Sequence, residues 1–221
     1  MKTFYINLDS AHERRDKFLS LNGNNPYERW RATTKDEVPQ EVLDRMLSNH
    51  LLPYESHRAR CACFLSHQKL LQYIVDNKID DVLILEDDAI PTEESIPIHY
   101  PRDSIVYLGG FIHSRKMREG ISRRHASLKD EVLHQKGIQC VCPQKHRMLG
   151  CLSYIIPHHS VASMILNKIA SQKRYKAIDI MLGNIGIKQY YNYPPSFIED
   201  KVKSQIIKKN KWMNSEYQFT S

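Results

Sequence analysis

No apolar run in this sequence approaches the roughly 20 residues that a membrane-spanning helix needs, and its longest uninterrupted hydrophobic stretches are only a few residues. The opening residues, Met-Lys-Thr-Phe-Tyr-Ile-Asn, lack the apolar stretch and small-residue cleavage site of an export signal, so the expected location is the cytoplasm. Internal repeats, low-complexity tracts and a dividing linker are also missing, which leaves a single domain as the expected organisation of 221 residues. Cysteine is sparse and odd in number, with five residues at Cys61, Cys63, Cys140, Cys142 and Cys151. Its two Cys-x-Cys pairs are too close for structural zinc, whose cysteines are usually separated by roughly two to four residues. Free thiols in a reducing compartment are the expectation.

What remains is an ordinary globular composition, 41% hydrophobic and 26% charged, which excludes the disordered class. The formal charge of +7 favours an anionic partner: a nucleotide, a nucleic acid or a membrane surface.

The stretch Asp81-Val-Leu-Ile-Leu-Glu-Asp-Asp-Ala-Ile90 organises the rest. Val82 to Leu85 form a short unbroken apolar run, as in a strand buried on both faces of a parallel sheet, and three carboxylates follow at once. Glu86, Asp87 and Asp88 would repel one another and lose hydration unless a cation compensates them. Oxygen-only ligands suit Mg²⁺ and Mn²⁺, and ligands of open α/β sheets bind beyond the carboxyl ends of the strands. The plainer alternative is that these acids cap a turn or a helix start before Pro91.

In chain order, Thr3 to Leu8 reads as a strand in the middle of the fold, followed by a helix capped by Asp9 or Ser10 with Phe18, Leu19 and Leu21 on its apolar side. Arg14 and Arg15 at its start can hold phosphate or form a salt-bridged solvated face. Tyr27 to Arg31 is a second strand candidate, and Thr33 to Leu52 reads as an amphipathic helix with Pro39 in its first turn. Ala59 to Val75 is another helix; Ser66 and His67 lie inside it, and His67 is either a hydrogen-bonded structural residue or a ligand. Ser104 to Leu108 is a strand ended by Gly109 and Gly110, which permit close approach to a ligand or make a plain turn. Phe111 to Met148 is strongly basic with little apolar periodicity and reads as a long excursion over the site. Gly150 to Ile156 returns to strand character, Pro157 opens a helix, and Asp179 interrupts an apolar run from Lys176 to Leu182. Lys201 onward is a basic tail. Alternating short strands and helices predict an α/β fold, a domain over 1–200 and a tail over 201–221.

Several patterns stand in a fixed order: Tyr5-Ile-Asn-Leu-Asp9 followed by Arg14-Arg15, Ser66-His67, Leu83-Ile-Leu-Glu-Asp-Asp88, Tyr107-Leu-Gly109, Leu149-Gly-Cys-Leu-Ser-Tyr-Ile-Ile156 and Ile178-Asp179. Together, over roughly residues 3 to 198, they resemble glycosyltransferase family 25, the lipooligosaccharide and collagen β-galactosyltransferase group. The resemblance implies a single-domain GT-A, Rossmann-like fold with a mixed, mostly parallel sheet flanked by helices. It further implies a nucleotide-sugar donor, typically UDP-galactose, a Mn²⁺ or Mg²⁺ ion, and inverting transfer to a glycan, glycolipid or glycoprotein hydroxyl, with no nucleic acid as partner. By that match Asp88 is the direct metal ligand with Glu86 beside it, and Asp179 is the catalytic base. Asn7, Leu8, Arg14, Arg15, Ser66, His67, Glu86, Asp87 and Gly109 line the donor site. The family's proline before Asp179 has no counterpart here, where Ala177 and Ile178 precede it, and the basic 111–148 segment is the chain's own and the expected seat of acceptor specificity. Two other readings stand beside this one: a carboxylate–metal nucleic-acid-processing enzyme, and a catalytically silent glycan-binding protein on a transferase fold. The basic tail also allows peripheral contact with an anionic membrane.

Overall fold

The structure is a computed structural model that describes residues 1–23, 25–46, 53–114, 135–142, 144 and 146–200. The expected basic tail lies outside the described residues, as does the middle of the basic excursion.

The apolar run ending in acid forms a strand, Val82–Glu86, in the third strand position of the chain, β3. Val82 and Ile84 join one buried cluster with Phe4, Phe64, Leu71 and Ile156, while Leu83 and Leu85 join a second with Tyr5, Phe18, Val106 and Phe197. Successive side chains of a strand point to opposite faces. Here both faces are covered, which is why the run is continuous rather than alternating.

The strand belongs to a seven-stranded sheet formed by the described residues, with β1 (Lys2–Asn7), β2 (Tyr27–Arg31), β5 (Ser104–Tyr107), β7 (Gly137–Cys140), β9 (Ser153–Ile156) and β10 (Lys188–Tyr193). The order is β2-β1-β3-β9-β5-β10-β7. Pairings β1/β2, β1/β3 and β5/β10 are parallel, whereas β9 runs against both β3 and β5, and β7 against β10. The sheet is mixed and mostly parallel, and β1 sits one place in from the edge rather than at the middle. On the first face pack α3 (Tyr54–Asp76) and α4 (His159–Ala170), which also contact each other, with the short α2 (Gln40–Arg45) and α5 (Ile178–Leu182). The second face is covered by α1 (His12–Asn22) and by a two-stranded ribbon of β4 (Ala89–Pro91) and β11 (Phe197–Glu199).

Four local expectations are corrected. Neither Asp9 nor Ser10 caps α1, which begins after Ala11 without a side-chain cap. Asp9 is drawn instead to the guanidinium of Arg29 and to Arg31 Nε at 2.8 Å on neighbouring β2. The expected helix from Thr33 to Leu52 is broken, because the residue before a proline is pushed out of helical backbone. Val38, before Pro39, is extended at φ −77° and ψ 117°, separating a 3₁₀ turn at Lys35–Glu37 from α2. The ends of the basic excursion are strands: β6 (Phe111–Ser114) pairs with β8 (His146–Leu149), and β7 edges the main sheet. At 4 residues each, these strands are too short to show an apolar period. Finally, Pro157 precedes α4, whose cap is His158, its ring accepting the Ser160 N–H at 3.2 Å.

Gly109 follows β5 where three segments converge. A Cβ there would lie 2.5 Å from the Phe197 carbonyl oxygen and 2.7 Å from Ser153 Oγ, so the glycine is required by packing of the chain on itself. Phe197 N–H donates to the Leu108 carbonyl at 3.1 Å, which ties β11 down at this point. Gly109→Ala is expected to destabilise the fold by about 1–3 kcal/mol, the usual cost of overpacking. Urea unfolding followed by circular dichroism checks this, and an unchanged midpoint would refute the close packing.

Candidate functional site

The acids lie at the carboxyl edge of the sheet. In the parallel β1/β3 ladder Ile6 is level with Glu86, so Asn7, one residue on, stands beside the turn formed by Asp87 and Asp88. Asn7 is 1% exposed, and its amide donates to Asp87 Oδ2 at 2.7 Å and to the Ala11 carbonyl at 3.3 Å. From the first turn of α1, Arg14 pairs with Asp87, and its Nη2 lies 3.1 Å from Asp88 Oδ2. The two arginines thus separate: Arg14 turns into the acids, whereas Arg15 remains on the outer face beside Asp16 at 3.2 Å.

The electrostatics of this knot are unbalanced. Burial, then the nearby Glu86 charge, pushes the Asp88 carboxyl up to about 7; Arg14 opposes the shift and Asp87 and Glu199 add to it. Burial works against the Arg14 cation, but its bonds and charge interactions with Asp87 and Asp88 outweigh that and hold it above its ordinary value. Asp88 Oδ1, Asn7 Oδ1 and Arg14 Nε are buried without a hydrogen-bond partner among the described residues. Buried polar atoms are rarely left so.

Two acids that sequence reasoning missed close the knot. In the β4/β11 ribbon Glu199 is level with Ala89, and Asp200 N–H donates to the Asp88 carbonyl at 2.8 Å. Glu199 keeps solvent access, yet desolvation by the surrounding protein and then the charge of Glu86 raise its carboxyl above the usual range, opposed by Arg14. Asp200 pairs with Lys17 of α1. Their only mark in the sequence is an acidic pair after an aromatic, proline-containing segment.

The remaining predicted residues form a supporting layer. His67, 1% exposed on α3, places Nε2 3.5 Å from Glu86 Oε1, while Nδ1 is 2.8 Å from the Tyr154 hydroxyl. The Ser66 hydroxyl donates to the Ala62 carbonyl at 2.7 Å and accepts the Thr33 N–H at 2.9 Å, so it ties α3 to the loop after β2. The Leu8 carbonyl accepts the Ala11 N–H at 3.0 Å and closes the turn into α1. Gly109 makes its close approaches to Phe197 and Ser153, as described above.

Asp179 stands in the first turn of α5, its Oδ1 accepting the Ile180 N–H at 2.8 Å and its Oδ2 the Gly150 N–H at 3.3 Å. Two shielded thiols locate it relative to the acids. Burial and then Glu86 and Asp179 raise Cys63, whereas burial and then Asp179 and Glu86 raise Cys151. The charges of Asp179 and Glu86 therefore act on the same pair of thiols. Ala177 holds φ −51° and ψ 146°, a backbone that proline would also adopt, so the turn into α5 forms without the ring. The structure brings Asn7, Arg14, His67, Glu86, Asp87 and Asp88 together, sets Asp179 across the thiols, and leaves Leu8, Arg15, Ser66 and Gly109 outside the direct contacts of the acids.

No helix of the described residues is long and apolar enough to cross a membrane. No curated protein matches the chain. Residues 1–182, most of its 221, match the family model described as glycosyltransferase family 25 (LPS biosynthesis protein), and the chain belongs to that family.

Proposed function

We propose that the chain moves a sugar, a galactose-like hexose, from a UDP-linked donor to a hydroxyl of a glycan, glycolipid or glycoprotein, with inversion and with Mn²⁺ or Mg²⁺ at the acidic knot. Family membership supports sugar transfer over the nucleic-acid and silent-binder readings. The observation that carries the finer statement is the uncompensated charge at the end of β3. Among the described residues Asp87 and Asp88 share the guanidinium of Arg14, Glu86 and Glu199 add their charge to Asp88, and Asp88 Oδ1 has no hydrogen-bond partner. An all-oxygen, carboxylate-rich and partly open set is what a hard divalent ion takes.

Asp88 and Glu86 would hold the ion, and Asn7 and Arg14 keep Asp87 oriented beside them. A bound divalent ion supplies neutralisation of the diphosphate leaving group. Arg14 carries a planar fork that matches phosphate oxygens as well as carboxylates. Arg14 would keep its bond to Asp87 and could offer the rest of the fork to a donor phosphate. Inverting transfer needs a carboxylate to take the acceptor hydroxyl proton as the oxygen attacks the sugar. Asp179 is suited to this role because Gly150 N–H and Ile180 N–H fix its two oxygens on rigid backbone.

Nucleoside diphosphates and UDP-, GDP- and dTDP-sugars, each with and without Mn²⁺, can be ranked by thermal shift, since a ligand of the native state raises the melting temperature according to its affinity. The expected result is a metal-requiring shift from UDP compounds that disappears in Asp88→Ala. That variant should retain the parent's circular dichroism and lose more than the roughly 10–100-fold in transfer that removal of a ligand's outer partner causes. Turnover equal to the parent's would overturn the metal assignment.

The raised Asp88 carboxyl also has a stability consequence in metal-free protein. Its folded value of about 7 exceeds the ordinary 3.8, so between those limits the native state binds a proton that the unfolded chain does not. Its stabilising contribution is complete below the ordinary value and is lost as pH rises through about 7. Relative to Asp88→Asn, the parent's melting temperature should therefore fall more steeply from pH 5 to pH 8, and added Mn²⁺ should remove the difference. Parallel pH curves for the two proteins would refute this reading.

A further inference from the structure

We infer that Cys63, His67 and Glu86 form a second cation site, selective for a thiophilic divalent ion of the zinc class and sharing Glu86 with the acidic knot. Cys63 and His67 stand four residues apart on α3, and side chains at that spacing lie on the same face of a helix. That face meets the end of β3, and one ligand atom from each of the three residues lies within 4.8 Å of the others. The His67–Glu86 separation of 3.5 Å already matches a tetrahedral edge, about 3.3–3.8 Å from ordinary zinc bond lengths.

The independent sign is His67 itself. Its ring is 1% exposed, stacked on Tyr154 with 5.9 Å between centroids, and anchored through Nδ1 to the Tyr154 hydroxyl at 2.8 Å. Nε2, which lies 3.5 Å from Glu86 Oε1, has no hydrogen-bond partner among the described residues. A metal-bound imidazole is commonly oriented in this way, with the second nitrogen held by an outer partner.

The donor set selects the ion. Sulfur, imidazole and one carboxylate suit zinc-class cations, whereas the oxygen-only knot suits Mn²⁺ and Mg²⁺. Binding would release the Cys63 thiol proton to solvent; thiolate and carboxylate together then balance a divalent charge, and three protein ligands leave a fourth position for water or an outside ligand. The inference does not depend on the transferase reading. If both sites exist, Glu86 cannot serve them equally, and occupation of the thiol site draws a carboxylate away from the knot.

Co²⁺, used alone as the spectroscopic probe, tests this on the full chain without any sugar substrate. Co²⁺ should give a thiolate-to-cobalt charge-transfer absorption whose final intensity corresponds to one thiolate-bound ion per chain, and Zn²⁺ should abolish that band. Cys63→Ser should remove the band and weaken Zn²⁺ binding by at least about tenfold. His67→Gln should weaken Zn²⁺ binding by a similar factor while shifting the cobalt ligand-field bands, which covers the case of a poorly folded serine variant. Asp88→Asn should keep the band, since Asp88 belongs to the other site. No band in the parent, a band that survives Cys63→Ser, or one removed only by the double change Cys140→Ser and Cys142→Ser would each overturn the inference.

Discussion

Carboxylates at the end of a strand sealed on both faces must be compensated, and much of the arrangement at the carboxyl edge of the sheet follows from how this is done. Isolated buried charge is among the most expensive features a fold can carry. Arg14 supplies the compensating cation, so α1 must lie with its first turn over β1 and β3. Asn7 neutralises nothing, but its amide fixes the orientation of Asp87 and links the end of β1 to the start of α1 through Ala11. One guanidinium cannot satisfy the surrounding acids. The strain remains on Asp88, with its raised carboxyl and orphaned oxygen.

The reversal of β9 serves the same edge. Because β9 runs against β3 and β5, its beginning lies where theirs end, and the Leu152 carbonyl accepts the Glu86 N–H at 2.9 Å while the Ser153 carbonyl accepts the Leu108 N–H at 3.0 Å. Gly150 and Cys151, just before β9, are thereby delivered beneath the acids. Asp179 reaches the same place through its bond to Gly150 N–H. A fully parallel sheet would have required a long crossover here and put the start of that strand at the opposite edge.

The buried strand, the acidic edge and the helix bearing His67 were legible in the sequence because each has a one-dimensional signature: an unbroken apolar run, a carboxylate triplet, a helical period. The strength of Val82 to Leu85 as a strand signal reflects complete burial on both faces. What was not legible depends on distance in space. Arg14 and Arg15 are neighbours in sequence, and only the angle of α1 on the sheet decides which one meets Asp87. Asp9 has the chemistry of a cap but found two guanidinium partners on β2, a tertiary preference that no local pattern contains. The edge strands within the basic segment lacked apolar alternation. Cys63 and His67 share a helix face by their four-residue interval, but only the packing of α3 on the end of β3 places both against Glu86.

The most consequential unseen contact involves residues after the family match, which ends at residue 182. Beyond it, β10 completes pairing with β5 and β7, and β11 returns to lie on β4. That return is held at both ends, by Phe197 on Leu108 and by Asp200 on Asp88, so backbone bonds set where the main chain carries Glu199. Glu199 adds to the load on Asp88, and Glu86 raises Glu199 in turn. A carboxylate on backbone placed here adds to the repulsion among the acids of the knot. The acidic motif of β3 is therefore only part of the acidic surface at this edge. The segment after the family match determines how strongly that surface is charged, and a chain ending before β11 would keep the motif while losing the carboxylate that sharpens it.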